Sequence, residues 1–204
     1  GQATQKVSKE VSDLEKQFTT LGGIIVGAFS VSALIDFGKE VTKVTAQVQS
    51  LNIRMQDLTG SETLAATKLQ ELRIIAEKLG LEFKGLTDSY VQFVSAAKAS
   101  GMEVAKADKI FKSMSVAVAG SGVSADKAQR AMVSLTQMIG KGKISAEELI
   151  GQLGEAMPSA IGIMAKSMGV GTKELFKMME QGLLLSNEVL PGFAEEMENA
   201  LGGN

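Results

Sequence analysis

Apolar residues in the first part of the chain recur at steps of four and three: Val7, Val11, Leu14, Phe18, Leu21, Ile25 and Ala28. That spacing is the seam of a heptad-patterned helix, with Lys6, Lys9, Glu10, Asp13, Glu15 and Lys16 on the positions left for an exposed face. A second seam runs through Leu34, Phe37, Val41, Val44, Val48, Leu51, Met55 and Leu58 without a miss. The two are out of phase, which places a stammer or break between Val31 and Leu34. Such seams predict long helices that pair side by side, either between copies of the chain in a homo-oligomer or as amphipathic helices of one globular bundle. They set residues 1–58 apart as a coiled-coil-like segment and candidate oligomerisation region.

Beyond Thr59-Gly60-Ser61 the period is kept but the runs shorten, predicting a compact helical domain over 59–204. One stripe holds Leu64, Leu72, Ile75, Ala76 and Leu79, with Gly80 placed as its C-terminal cap. The next opens at Thr87 or Asp88 and carries Tyr90, Phe93, Val94 and Ala97. A third carries Val104, Ala107, Ile110, Phe111, Met114 and Val118 and stops at Gly120 and Gly122. A fourth runs from Ser124 through Ala128, Ala131, Met132, Leu135, Met138 and Ile139 to Gly140. No strand-like alternation competes with these periods, so the expected fold is all-α: a multi-helix bundle of short helices with glycine-marked turns, preceded by longer heptad-patterned helices.

The densest signal is Gly140 to Pro158. Ser145 and Glu148 are spaced as a capping box, Ile144 and Leu149 as its hydrophobic staple, and Glu147 adds acid to the first turn. Pro158 discourages the helix from passing Met157. The same start signal, an aliphatic residue close before a hydroxyl with an acid in the next turn, recurs at Val123-Ser124, Val170-Gly171-Thr172 and Leu185-Ser186.

Composition narrows the chemistry. Aromatics are 4% of the 204 residues, there is no Trp, and eleven Met accompany two Pro, which suits helices packed with aliphatic and thioether side chains. The net charge of −2, with both signs interspersed, offers no basic footprint for nucleic acid, and no specific nucleic-acid binding is expected. With no His and no Cys, the usual general base, the histidine triads, thiolate chemistry and the common zinc ligands are gone. Glu147-Glu148 and Glu195-Glu196 are adjacent residues about 100° apart on a helix, so they read as solvated faces rather than catalytic dyads. Gly140-Lys-Gly-Lys-Ile-Ser lacks phosphate-loop spacing. Met157, Met164, Met168, Met178 and Met179 read as adaptable core or interface filler. No catalytic constellation, cofactor site or metal site is expected.

Two stretches keep a sharper alternative. Leu21 to Ile35 is uncharged and contains the GxxxG spacing of Gly23 and Gly27, a helix-pairing signal in bilayers, but it falls short of the roughly 20 residues a span requires. It is a buried or oligomer-facing segment, or else a membrane-active one. Ser159 to Gly182 has the outline of a helix-turn-helix, yet its second helix balances Lys173 and Lys177 with Glu174 and Glu180 and has no Arg. The chain opens on Gly rather than Met, as a piece of a longer protein would.

The run Gly142, Lys143, Ile144, Ser145, Glu147, Glu148 and Leu149, followed by Gln152, Leu153, Gly154, Glu155 and Pro158, and then by Ala165-Lys-Ser-Met-Gly-Val170 and Leu190-Pro191, resembles the tape measure domain of tail tape measure proteins of tailed bacteriophages and prophages. Similarity reaches back to about Leu34. Those proteins often carry Arg where this chain has Ile150 and Ala156, so no role for charge is carried over to either position. The resemblance implies a non-enzymatic virion protein, mostly helical, that rules tail length. It implies partnership with tail-tube protein, tail assembly chaperones and distal tail or tail-tip proteins, residence in the tail lumen after assembly in the host cytoplasm, and release at genome ejection, when the host membrane is a further candidate partner. Laid end to end as helix the chain would reach about 300 Å; folded, its radius of gyration would be near 17 Å. The many glycine stops predict the folded form.

Overall fold

The computed structural model describes residues 46–203, with side chains from Ser50 onward. The first seam, Leu34, Phe37, Val41 and Val44 of the second, and the GxxxG stretch lie outside the described residues. The described residues are all-α. In order they form α1 (Ala46–Thr59), α2 (Glu62–Leu79), α3 (Phe83–Ala99), α4 (Val104–Gly120), α5 (Ala125–Lys141), a π-helix (Glu147–Gly154), α6 (Ser159–Ser167), α7 (Thr172–Glu180) and α8 (Ser186–Leu201). Two compact units divide them, the first ending at Gln70 and the second starting at Glu71, with the boundary inside α2.

In the first unit, α1 buries Leu51 and Met55 within the single chain, half-buries Leu58 and exposes Ile53. It ends where Thr59 Oγ1 donates back to the Met55 carbonyl at 2.8 Å. Ser61 then caps α2, its Oγ accepting the Leu64 N–H at 3.4 Å.

In the second unit, α8 packs most extensively along α4 and also against α6, while α3 lies against α5 and α4. The core between them holds Phe93, Phe111, Phe193, Met114, Met132, Leu135 and Met138, all fully buried. Tyr90 meets Phe111 edge-on with ring centroids 5.1 Å apart. Among the methionines read as filler, Met157, Met164 and Met179 are buried and Met168 and Met178 half-buried. The turns follow one rule. Gly80, at φ 65°, lets its own N–H reach the Glu77 carbonyl and the Leu81 N–H reach Ala76, a Schellman closure of α2. The same bond pair closes α3, α6 and α7.

Helix starts differ from the sequence expectation. The third helix begins at Phe83 rather than at Thr87 or Asp88; Thr87 lies buried inside it, with Oγ1 donating to the Phe83 carbonyl at 2.8 Å. The burial of Leu86 beside it outweighs the local cap preference. Ser124 does stand at the N-cap of α5 in extended conformation, but its hydroxyl makes no cap bond. Gly171 and Leu185, neither with a cap side chain, hold that position for α7 and α8. The helix expected to stop at Gly140, α5, continues through it to Lys141.

Candidate functional site

The motif stretch folds into a corner between α5 and α6. Gly142 ends α5 in the left-handed region at φ 72°, a conformation that favours glycine, and turns the chain so that Lys143 forms an isolated antiparallel bridge with Leu185. Backbone bonds fix the bridge: Ile144 N–H to the Leu184 carbonyl at 2.8 Å and Ser186 N–H to the Gly142 carbonyl at 3.0 Å. The buried Ser186 hydroxyl donates to the Met138 carbonyl. The serine expected to cap α8 therefore ties its start to the end of α5 instead.

After the bridge the chain does not form the capped α-helix expected. Glu147–Gly154 is a π-helix, with i→i+5 hydrogen bonding, and its N-cap residue is Ala146 rather than Ser145. Ser145 Oγ does not accept a backbone N–H in a capping box; it donates to the Glu148 carboxylate. Lys141 Nζ donates to the other Glu148 oxygen and, at 2.8 Å, to Glu147. The solvated face expected for these two acids holds for Glu147 alone, because the Glu148 side chain is 0% exposed while Lys141 remains 45% exposed. Burial alone would raise the Glu148 carboxyl. The hydrogen bonds from Lys141 and Ser145 outweigh it and hold the group below the usual carboxylate range. Lys141 is in turn pushed above its ordinary value, first by Glu147 and then by Glu148.

The staple pair Ile144 and Leu149 is buried, as are Leu153 and Gly154; Gln152 is half-buried, and Lys143, Glu155 and Pro158 face solvent. Pro158 stands at the N-cap of α6, ending the preceding helix as expected. The motif is thus chiefly a folding corner with one buried charge cluster. What the sequence reading missed was Lys141, seven residues from Glu148 across a break, and the contact with Leu184–Ser186. The capping-box spacing of Ser145 and Glu148 was the available signal that the two side chains meet.

A second polar cluster joins α2, α3 and α4. Tyr90 Oη donates to Asp108 at 2.9 Å, and Lys112 Nζ bridges Glu71 at 3.0 Å and Asp108 at 3.1 Å. Burial, and after it the Asp108 charge, pushes the Tyr90 phenol far above its ordinary value. Burial would lower Lys112, but Asp108 and Glu71 together hold it above the usual ammonium range. Among the described residues no group of three or more His, Cys, Asp or Glu could hold a metal ion. An open concavity of 840 Å³ has its described lining at Gly171 and on α7, where Lys173, Glu174, Lys177 and Glu180 alternate in sign. The helix-turn-helix outline is real as α6, a turn at Gly169 and α7, but α7 spends Leu175 and Met179 on packing.

Compared with known proteins, residues 39–203 match the family model described as tape measure protein, through the whole of this corner. The chain belongs to the tape measure protein family. It is 28% identical over 174 residues to a probable tape measure protein of Salmonella phage Felix O1, a match covering 85% of this chain and 23% of that protein. The chain spans about a quarter of the length of that tape measure relative. No solved structure matches the chain.

The Glu148 cluster has a pH signature. A carboxyl whose folded value lies below its unfolded one, about 4.3, contributes stability that is present above that value and lost as pH falls through the folded one. Urea midpoints of the unmodified tape measure chain and of Glu148→Gln should differ at pH 7 and converge as pH drops below about 4. A gap that stays constant down to pH 2.5 would show that Glu148 is not held in its charged form.

Proposed function

We propose that this chain is a structural, non-enzymatic module of a phage tail tape measure protein, serving tail-length determination and tail-tube assembly. The observation that carries the reading is the family match over 39–203, which includes the motif corner. The fold supports a division of labour. The longest described helix, α2, has 18 residues, about 27 Å of rise, and the helices of the second unit turn back on one another. On this reading the second unit is a folded station on the tape rather than part of an extended measuring stretch.

The partners that suit this role are a second copy through the seams, the tail-tube protein, the assembly chaperones and the distal tail proteins, with the virion tail as the final location and the host cytoplasm as the site of assembly. Among the described residues no helix is long and apolar enough to cross a membrane, and no observation favours the membrane or nucleic-acid readings over this one. In-frame deletions in the parent outside this module should shorten tails in proportion to the residues removed, read by electron microscopy of virions. Tails of unchanged length would overturn the ruler role. Light scattering should find the isolated chain self-associated; a strict monomer at high concentration would remove the seams from the account.

A further inference from the structure

The π-helix at Glu147–Gly154 is an uncommon geometry held at both of its ends. At the start, Lys141 and Ser145 bind a Glu148 side chain that is fully covered. At the finish, a Cβ on Gly154 would sit 2.9 Å from the Leu149 carbonyl oxygen and 3.1 Å from Ile161 Cδ1. Leu149 is five residues back, the acceptor that an i→i+5 register gives to the Gly154 N–H. The missing side chain at 154 is therefore what lets this register close.

The same residues also write an α-helix. Leu149, Leu153, Ala156 and Met157, all buried, fall at i, i+4, i+7 and i+8, the stripe of an amphipathic α-helix that ends before Pro158. An α register would keep that stripe inward. It would turn Glu148 about 120° from the midline of Leu149 and Leu153, at 100° per residue, and so away from the buried side. The apolar pattern suits either register, and the π register in addition covers Glu148 beneath Lys141 and Ser145.

We propose that Glu147–Gly154 is a two-register element, π-helical while Lys141 holds Glu148 and α-helical when that hold is released. A change of register shifts Glu155–Pro158 and the start of α6 along and around the helix axis. Because α6 packs on α8, and α8 is tied to α5 through Ser186, the shift is felt across the corner.

The experiment uses the 204-residue chain, isotope-labelled, and reads which carbonyl accepts the Gly154 N–H from scalar coupling across the hydrogen bond. The unmodified chain should show Leu149. Lys141→Met strands a buried carboxylate without its cation, and the acceptor should change to Ile150, with loss of the Leu149 coupling. Gly154→Ala, which leaves both members of the ion pair in place, should produce the same change at the residue 154 amide. Gly151→Ala, where nothing lies within 4 Å of an added Cβ, should keep Leu149. Retention of the Leu149 acceptor in a folded Lys141→Met chain overturns the proposal. Should both releasing variants fail to fold, relaxation dispersion on the unmodified chain decides: exchange confined to the amides of 147–157 supports two registers, and flat profiles there overturn them.

Discussion

Phe111→Ala should destabilise the second unit by about 3–5 kcal/mol, more than any other single truncation on α4, seen as a fall of roughly 10 °C in the thermal midpoint for a chain of this size. The ring is fully buried, meets Tyr90 edge-on at 5.1 Å and Phe93 at 5.8 Å, and stands where α3 packs on α4. Deleting it removes apolar burial and an aromatic pair term of about 0.5–1.5 kcal/mol. The loss also reaches the polar layer above. Tyr90 carries its hydroxyl to Asp108, which shares Lys112 with Glu71, so a ring free to tilt into the cavity loosens a bond whose acceptor is largely buried. Phe111→Leu fills most of the volume and should cost about 1.5 kcal/mol or less. If Phe111→Ala costs no more than Phe111→Leu, the aromatic cluster is not the packing centre of this unit.

Helix periodicity was legible because it is a property of many residues at once. Apart from the half-buried Val104, the apolar stripes at 104–118 and 128–139 appear in the structure as the buried faces of α4 and α5. Caps were less legible, since one hydroxyl has several acceptors within reach and tertiary contacts choose among them. Ser186 sits where a cap signal belongs and instead donates to Met138, forty-eight residues earlier. Glu148 shows the same limit for charge. Next to Glu147 and on a helix, it reads as solvated by local rules. Only the register of the π-helix and the return of Lys141 across the Gly142 turn bury and pair it. The motif that marks the family is thus easy to see as a string, while its physical content, a bridge, a buried acid and an unusual helix, depends on residues 141 and 184–186 at its edges.

Glycines pose that difficulty in its sharpest form, and Gly120→Ala tests it. Gly120 and Gly122 both read as punctuation after the same stripe. Gly122, at φ 64°, is indeed the turn residue. Gly120 is the last residue of α4, and a Cβ there would lie 1.9 Å from the Leu201 carbonyl oxygen, 2.9 Å from the Leu201 carbonyl carbon and 3.1 Å from Gly202 Cα. All three are backbone atoms, so no rotamer change relieves the overlap; α4 and the end of α8 must separate. The approach is reciprocal, since a Cβ on Gly202 would meet Val116 Cγ1 at 2.8 Å. In an ordinary helix, replacing Gly by Ala gains about 1 kcal/mol. Gly140, inside α5 with nothing within 4 Å of an added Cβ, should show that gain. At Gly120 the overpacking cost, about 1–3 kcal/mol or more, should outweigh it and lower the urea midpoint. Opposite signs for the same substitution in neighbouring helices would separate the glycine that permits close packing from the one that merely weakens its helix. Equal stabilisation by both would mean that α4 and α8 do not meet at their ends.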